Sequence, residues 1–148
     1  MPESLGASGA GAFIESERRV MVLSYERFKA NGTWFRIRID RRLYRSVATH
    51  EVAHAIASEH FRVAVPTIEA KEYIAYVATF STMDESQRSQ VLAAFPGEGF
   101  DDACRMSTTI YLFDPMRFGV EAYRHYLKPG NGNPFLRAVL AGTVLAEP

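Results

Sequence analysis

Two short runs near the start of the chain mix β-branched and aromatic residues: Arg18–Tyr25 (RRVMVLSY) and Thr33–Ile39 (TWFRIRI). Asn31-Gly32, a strong turn dipeptide, lies between them, so the pattern predicts a β-hairpin. In the second run Trp34, Arg36 and Arg38 alternate with Phe35, Ile37 and Ile39, one face wet and the other buried. Asp40 is placed to cap a helix running to about His60, and Leu43, Val47, His50 and His54 form a single stripe along it. Pro66-Thr67 opens a second helix through about Phe80, with Ile74 and Val77 among its apolar positions. Thr82-Met83-Asp84-Glu85 has the form of a capping box and predicts a third helix to Phe95, closed by Pro96-Gly97. Asp101–Phe113 reads both ways, helical at its start and β-rich over Thr108–Phe113. Asp114-Pro115 starts a helix to about Leu127. Asn133-Pro134 repeats that signal, and Gly142 is suited to end the last helix. With no repeat and no dividing linker, residues 1–148 read as one α+β, mostly helical domain: a small hairpin ahead of a helical body.

The Gly/Ala/Ser-rich stretch Met1–Ala12 reads as a flexible lead. It has neither the basic start nor the apolar run of an export signal, although a chain trimmed after export would look the same, so localisation stays open. Of the 148 residues, 17 are Lys or Arg and 17 are Asp or Glu; 23% are charged and 47% hydrophobic. That balance excludes intrinsic disorder and supplies no net positive field for nucleic acid. The longest apolar stretches, such as Tyr73–Phe80 and Ala138–Leu145, fall short of the roughly 20 residues a membrane span needs. The single cysteine, Cys104, reads as a small buried hydrophobe, so any metal site must use histidines and carboxylates. Arg36, Arg38, Arg41, Arg42 and Arg45 read as a solvated face. Pro129–Pro134 is a turn cluster without the features of a phosphate loop.

One motif carries chemistry. His50-Glu51-Val52-Ala53-His54 is HExxH: histidines four apart on a helix project side by side and can clamp one Zn²⁺. Glu51, one residue along, lies beside such an ion, where it can take a proton from the attacking water and pass it to a leaving group. The third ligand has three candidates. His60 continues the run as HEVAHAIASEH and matches the histidine spacing of metzincins, HExxHxxGxxH, but Ala57 stands where that family has Gly. On an unbroken helix His60 lies about 240° around from His54, off the metal face. Glu72, eighteen positions after His54 on the next helix, can return to the metal from an antiparallel neighbour, and Glu69 is one turn earlier.

Here the sequence resembles the gluzincins, zinc metallopeptidases with HExxH on one helix and a Glu on a following one. Glu72-Tyr73-Ile74-Ala75 is similar to their E-x-x-A segment, in which the small residue lets the two helices approach. The resemblance covers roughly Trp34 to Phe80 and is nearest the minimal "minigluzincin" versions. It implies a zincin-like fold with zinc held by His50, His54 and Glu72, and Glu51 as general base. The chain departs from the family at Tyr73, where many members have Gly, and at Tyr76, where some have an acidic residue supporting a ligand histidine. Gluzincins take an oxyanion-stabilising donor from a C-terminal helix, which implies His125, Tyr123 or Tyr126 here; the competing role is core, since Phe118, Ala122 and Tyr126 share a stripe. The edge of Thr33–Ile39, leading into the HExxH helix, is a candidate for holding extended substrate.

The expected function is therefore a zinc-dependent metallohydrolase, most simply a peptidase acting on a peptide or protein. Its expected partners include no nucleic acid and no membrane, and the expected assembly is a monomer or weak oligomer. The alternatives are a zincin-fold protein with a structural or degenerate metal site acting as a binding module, and a helical module in which HExxH is accidental.

Overall fold

The computed structural model describes residues 9–147 of the chain. The protein is α+β and mostly helical. Two antiparallel pairs precede and flank the first long helix: β1 (Gly11–Ile14) with β2 (Arg19–Val22), and β3 (Thr33–Trp34) with β4 (Ile37–Arg38). The helices are α1 (Tyr25–Ala30), α2 (Arg41–Ser58), α3 (Ile68–Thr82), α4 (Glu85–Ala94), α5 (Thr108–Phe113), α6 (Pro115–Leu127) and α7 (Gly132–Ala141).

The predicted hairpin between Arg18–Tyr25 and Thr33–Ile39 does not form. Arg19–Val22 pairs backward with Gly11–Ile14, so Gly11 and Ala12, read as flexible, belong to a strand; residues 1–8 of that lead lie outside the described residues. Tyr25 instead opens α1, because the Ser24 hydroxyl accepts from the Arg27 amide and caps it. The second run folds on itself: Thr33–Trp34 and Ile37–Arg38 pair across Phe35-Arg36, whose φ values of +50° and +62° suit a two-residue hairpin turn. The predicted alternation of faces fails for that reason. Trp34 is buried together with Phe35, Ile37 and Ile39, and the Phe35 ring meets Trp34, Tyr76, Phe80 and Phe95.

The long helices follow their sequence signals. Asp40 Oδ1 accepts from the Leu43 amide at 2.8 Å and starts α2, and Thr67 caps α3 through the Ala70 amide. For α4 the cap is Asp84, which accepts from Ser86 and Gln87; Thr82 is still the last residue of α3, its hydroxyl donating back to Ala78 O. Thr108–Phe113 is helical despite its β-rich composition, since Ser107 caps it and the fold buries Tyr111 against Phe118. Asp114 caps α6, while α7 begins at Gly132, ahead of Asn133-Pro134, and ends at Gly142 with φ +73°.

The core is a set of aromatic and aliphatic side chains from α2, α3 and α6, with Leu43, Val47, Tyr73, Tyr76, Phe80, Phe118 and Val120 fully buried. Gly119 lets α6 lie directly on α3: a Cβ there would stand 2.6 Å from Tyr76 Cδ1. His54 lies beside Glu72 and His50 beside Thr79, so α2 and α3 run antiparallel. Ion pairs Arg18–Glu59 and Lys71–Glu15 tie the β1–β2 unit to α2 and α3. Cys104 is exposed rather than buried. Arg36 is exposed, as expected of a solvated face, and from there donates to Ala94 O and stacks over Phe95. Among the described residues no helix is long and apolar enough to cross a membrane.

Candidate metal centre

Helix α2 turns its stripe of Leu43, Val47 and His50 inward, so an apolar face carries an imidazole into the core at its third step. Four residues on, His54 projects beside it. Their Nε2 atoms stand 3.2 Å apart. From α3, Glu72 reaches between them, with Oε2 at 3.3 Å from His50 Nε2 and Oε1 at 3.3 Å from His54 Nε2. One ligand atom from each of the three lies within 4.8 Å of the others. At Zn–N and Zn–O lengths of about 2.0–2.2 Å, tetrahedral ligand atoms are separated by roughly 3.3–3.5 Å, close to the 3.2 Å and 3.3 Å contacts here, in which Glu72 turns a different oxygen to each imidazole.

Hydrogen-bond accounting favours a cation here. The Thr79 hydroxyl has one proton, and it donates that proton to Ala75 O at 2.7 Å. Towards His50 Nδ1, 3.2 Å away, Thr79 therefore accepts, so Nδ1 carries the ring proton and Nε2 presents a lone pair to the trio. Glu72 Oε2 is buried with no hydrogen-bond partner. His50 Nε2 then has His54 Nε2 as its hydrogen-bonding neighbour, while Glu72 Oε2 beside it has none, and an orphaned buried carboxylate oxygen next to two imidazoles is an arrangement a metal ion would satisfy.

The titration directions show how strongly the carboxylate depends on positive charge beside it. Burial alone would raise the Glu72 carboxyl, but the two imidazoles outweigh it and bring its pKa to about 2. Burial lowers His50 against the pull of Glu72. Burial also opposes charge on His54, yet contact with Glu72 and the charges of Glu72 and Glu51 leave it raised. Glu51 is 3% exposed, and burial together with the Glu72 charge, against the opposing pull of His54, lifts its pKa to about 7. Gly11 of β1 closes over it: a Cβ at that position would be 2.7 Å from Glu51 Cγ.

The trio and Glu51 open into a cavity of about 200 Å³, whose other walls include Phe13 and Glu15, Ala57 and Phe61, Lys71 and Tyr111. The remaining sequence candidates lie elsewhere. His60 is exposed beyond the end of α2, its Nδ1–H donating to Ile56 O. Glu69 accepts from the Thr108 hydroxyl and joins α3 to α5. His125 is buried, with Nδ1 sharing a 2.8 Å hydrogen bond with the Tyr73 hydroxyl and its ring against Phe135. Tyr123 packs on Phe80, and Tyr126 donates to Asn133. None of these three lines the cavity. The strand beside the site is β1, not Thr33–Ile39.

Sequence reasoning missed Thr79, Tyr111 and β1. Thr79 is seven residues after Glu72, two helical turns along the same face, so its role was within reach of helical spacing. Tyr111 was hidden because its segment reads as β-rich, and β1 because it lies in a stretch whose composition is that of a linker.

No curated protein and no solved structure matches the chain. A family model does, over residues 1–148, and the chain belongs to that family, described as a family of unknown function (DUF6639).

Proposed function

We propose that the protein is a zinc-dependent metallohydrolase of the gluzincin type, cleaving peptide bonds, with β1–β2, α2 and α3 forming a zincin-like active-site unit. One observation carries the reading: both HExxH imidazoles converge with the Glu72 carboxylate, and Glu51 stands beside them at the wall of a cavity. Zinc bound there supplies Lewis acidity to the water and to the scissile carbonyl. Glu51, with a pKa of about 7, is suited to accept a proton at neutral pH and return it to the leaving amine.

Substrate has a surface to lie on. Leu23 N donates to Ala10 O, so the alternation of an antiparallel ladder turns the N–H and C=O of Gly11 and Phe13 away from β2. An extended peptide can add to that edge, leading from Glu51 towards Lys71. Phe13, Ala57 and Phe61 offer its side chains an apolar wall. Tyr111 lines the same cavity and is taken as the hydroxyl that stabilises the oxyanion.

The test is zinc per chain by elemental mass spectrometry, followed by cleavage of a peptide library. Wild type is expected to hold one zinc, lost in Glu72→Ala and kept in His60→Ala, and Glu51→Gln is expected to keep zinc but lose cleavage. No zinc in wild type after reconstitution would sink the proposal. Cleavage surviving in Glu51→Gln would turn it towards a binding protein with a structural metal.

A further inference from the structure

Tyr76 stands where some gluzincins, which the sequence resembles, have an acidic residue supporting a ligand histidine. The Tyr76 ring packs on His50 at 4.5 Å between centroids, but its buried hydroxyl has no partner and does nothing for the imidazole. A different residue meets His50 Nδ1, the Thr79 hydroxyl, and both side chains are buried.

We propose that Thr79 is the positioning residue of the metal centre: its hydroxyl, oriented by the Ala75 carbonyl, holds the His50 ring with Nε2 facing Glu72 and His54. The inference rests on the metal-centre reading above. A hydroxyl within reach of a backbone carbonyl four residues back donates its proton there, as the 2.7 Å contact to Ala75 O records. What remains on the oxygen is a lone pair, which selects the Nδ1–H form of His50. Only that form leaves Nε2 able to bind a metal. Tyr76 lies against the ring, so packing and hydrogen bonding together restrict its rotation. Because Thr79 and Glu72 share α3, one helix delivers a ligand and orients another, and the register of α3 against α2 governs both.

The neutral hydroxyl also distinguishes this centre chemically. A carboxylate in the same place would push charge onto the imidazole and make it a more basic ligand; a threonine orients the ring without adding charge.

Two readouts test this. The first is zinc affinity, by competition with a chromogenic chelator. Thr79→Val, nearly the same shape without the hydroxyl, is expected to weaken zinc binding by about 10–100-fold, and Thr79→Ser, which keeps the hydroxyl, to stay within about threefold of wild type. Thr79→Ala serves as the hydroxyl-free variant should the valine fail to fold. The second is long-range ¹H–¹⁵N correlation of ¹⁵N-histidine in the metal-free protein, in which His50 is expected to carry its proton on Nδ1 in wild type and Thr79→Ser but not uniquely so in Thr79→Val. Zinc binding by the valine and alanine variants as tight as wild type overturns the inference while leaving the metal centre intact. If wild type takes up no zinc, the metal-centre reading fails and the inference falls with it; if wild type binds zinc, the same His50 tautomer in wild type and in the hydroxyl-free variants overturns the inference alone.

Discussion

Glu51 occupies a place that a carboxylate would not choose for stability. Buried beside Glu72, it has its pKa lifted from 4.5 to about 7. In the metal-free protein the folded state therefore holds a proton that the unfolded chain has already released. Stability falls as pH rises from about 4.5 to about 7, and above that range the charge costs about 3 kcal/mol. Glu51→Gln removes the charge, so the metal-free variant is expected to be more stable than wild type at pH 8 and equal to it at pH 4. Urea unfolding at the two pH values measures this, and a gain that ignores pH would contradict it. At the same scale, Tyr111 and His125 are expected to separate. Removing one oxyanion donor lowers kcat by about 10²–10³, so Tyr111→Phe should lose that much with zinc retained. His125→Ala should instead lose thermal stability, because it abandons the buried Tyr73 hydroxyl. Steady-state kinetics beside thermal unfolding distinguishes the two, and equal kcat in Tyr111→Phe and wild type would remove Tyr111 from the site.

Among the elements, β1 has the fewest signals in the sequence and one of the closest approaches in the fold. Its Gly11 passes the Glu51 side chain where any Cβ would also stand 2.8 Å from Met21 O. Gly11→Ala must therefore shift either the strand or Glu51. Zinc content is expected to be unchanged and cleavage reduced by at least about tenfold, because misplacing a catalytic group by about 1 Å can cost about 10²-fold. A fully active Gly11→Ala would show that Glu51 does not depend on β1. Helices α2, α3 and α6 were legible because each carries its own start signal: Asp40, Thr67 and Asp114 accept the amide hydrogen bonds their sequence positions imply. The strands were not. Arg19–Val22 could pair forward or backward on local pattern alone, and Ser24 together with the helix that follows it decided for backward.

Across the whole molecule, the trio joins two helices that share the core, so under the proposed function a metal bound there would be coupled to the fold. Zinc held at 100 times its Kd adds about 2.7 kcal/mol, which for a chain of this size raises Tm by roughly 8 °C. Removing the metal with a chelator should lower Tm by that amount in wild type and leave Glu72→Ala unmoved; differential scanning calorimetry reads both, and a chelator-insensitive wild type would uncouple metal from fold. The sequence by itself determined the inward histidine pair with Glu51 between, the capped helices that carry them, and Glu72 as one of three candidates for the third position. Those are properties of spacing along one helix, where neighbours are set by 3.6 residues per turn. Only the tertiary structure chose Glu72 over His60 and Glu69 as the third member of the cluster, since that choice depends on how α3 lies against α2. It likewise brought Thr79 to His50, set Tyr111 in the cavity wall and folded β1 over Glu51, because contacts between distant segments follow from packing the core and not from local pattern.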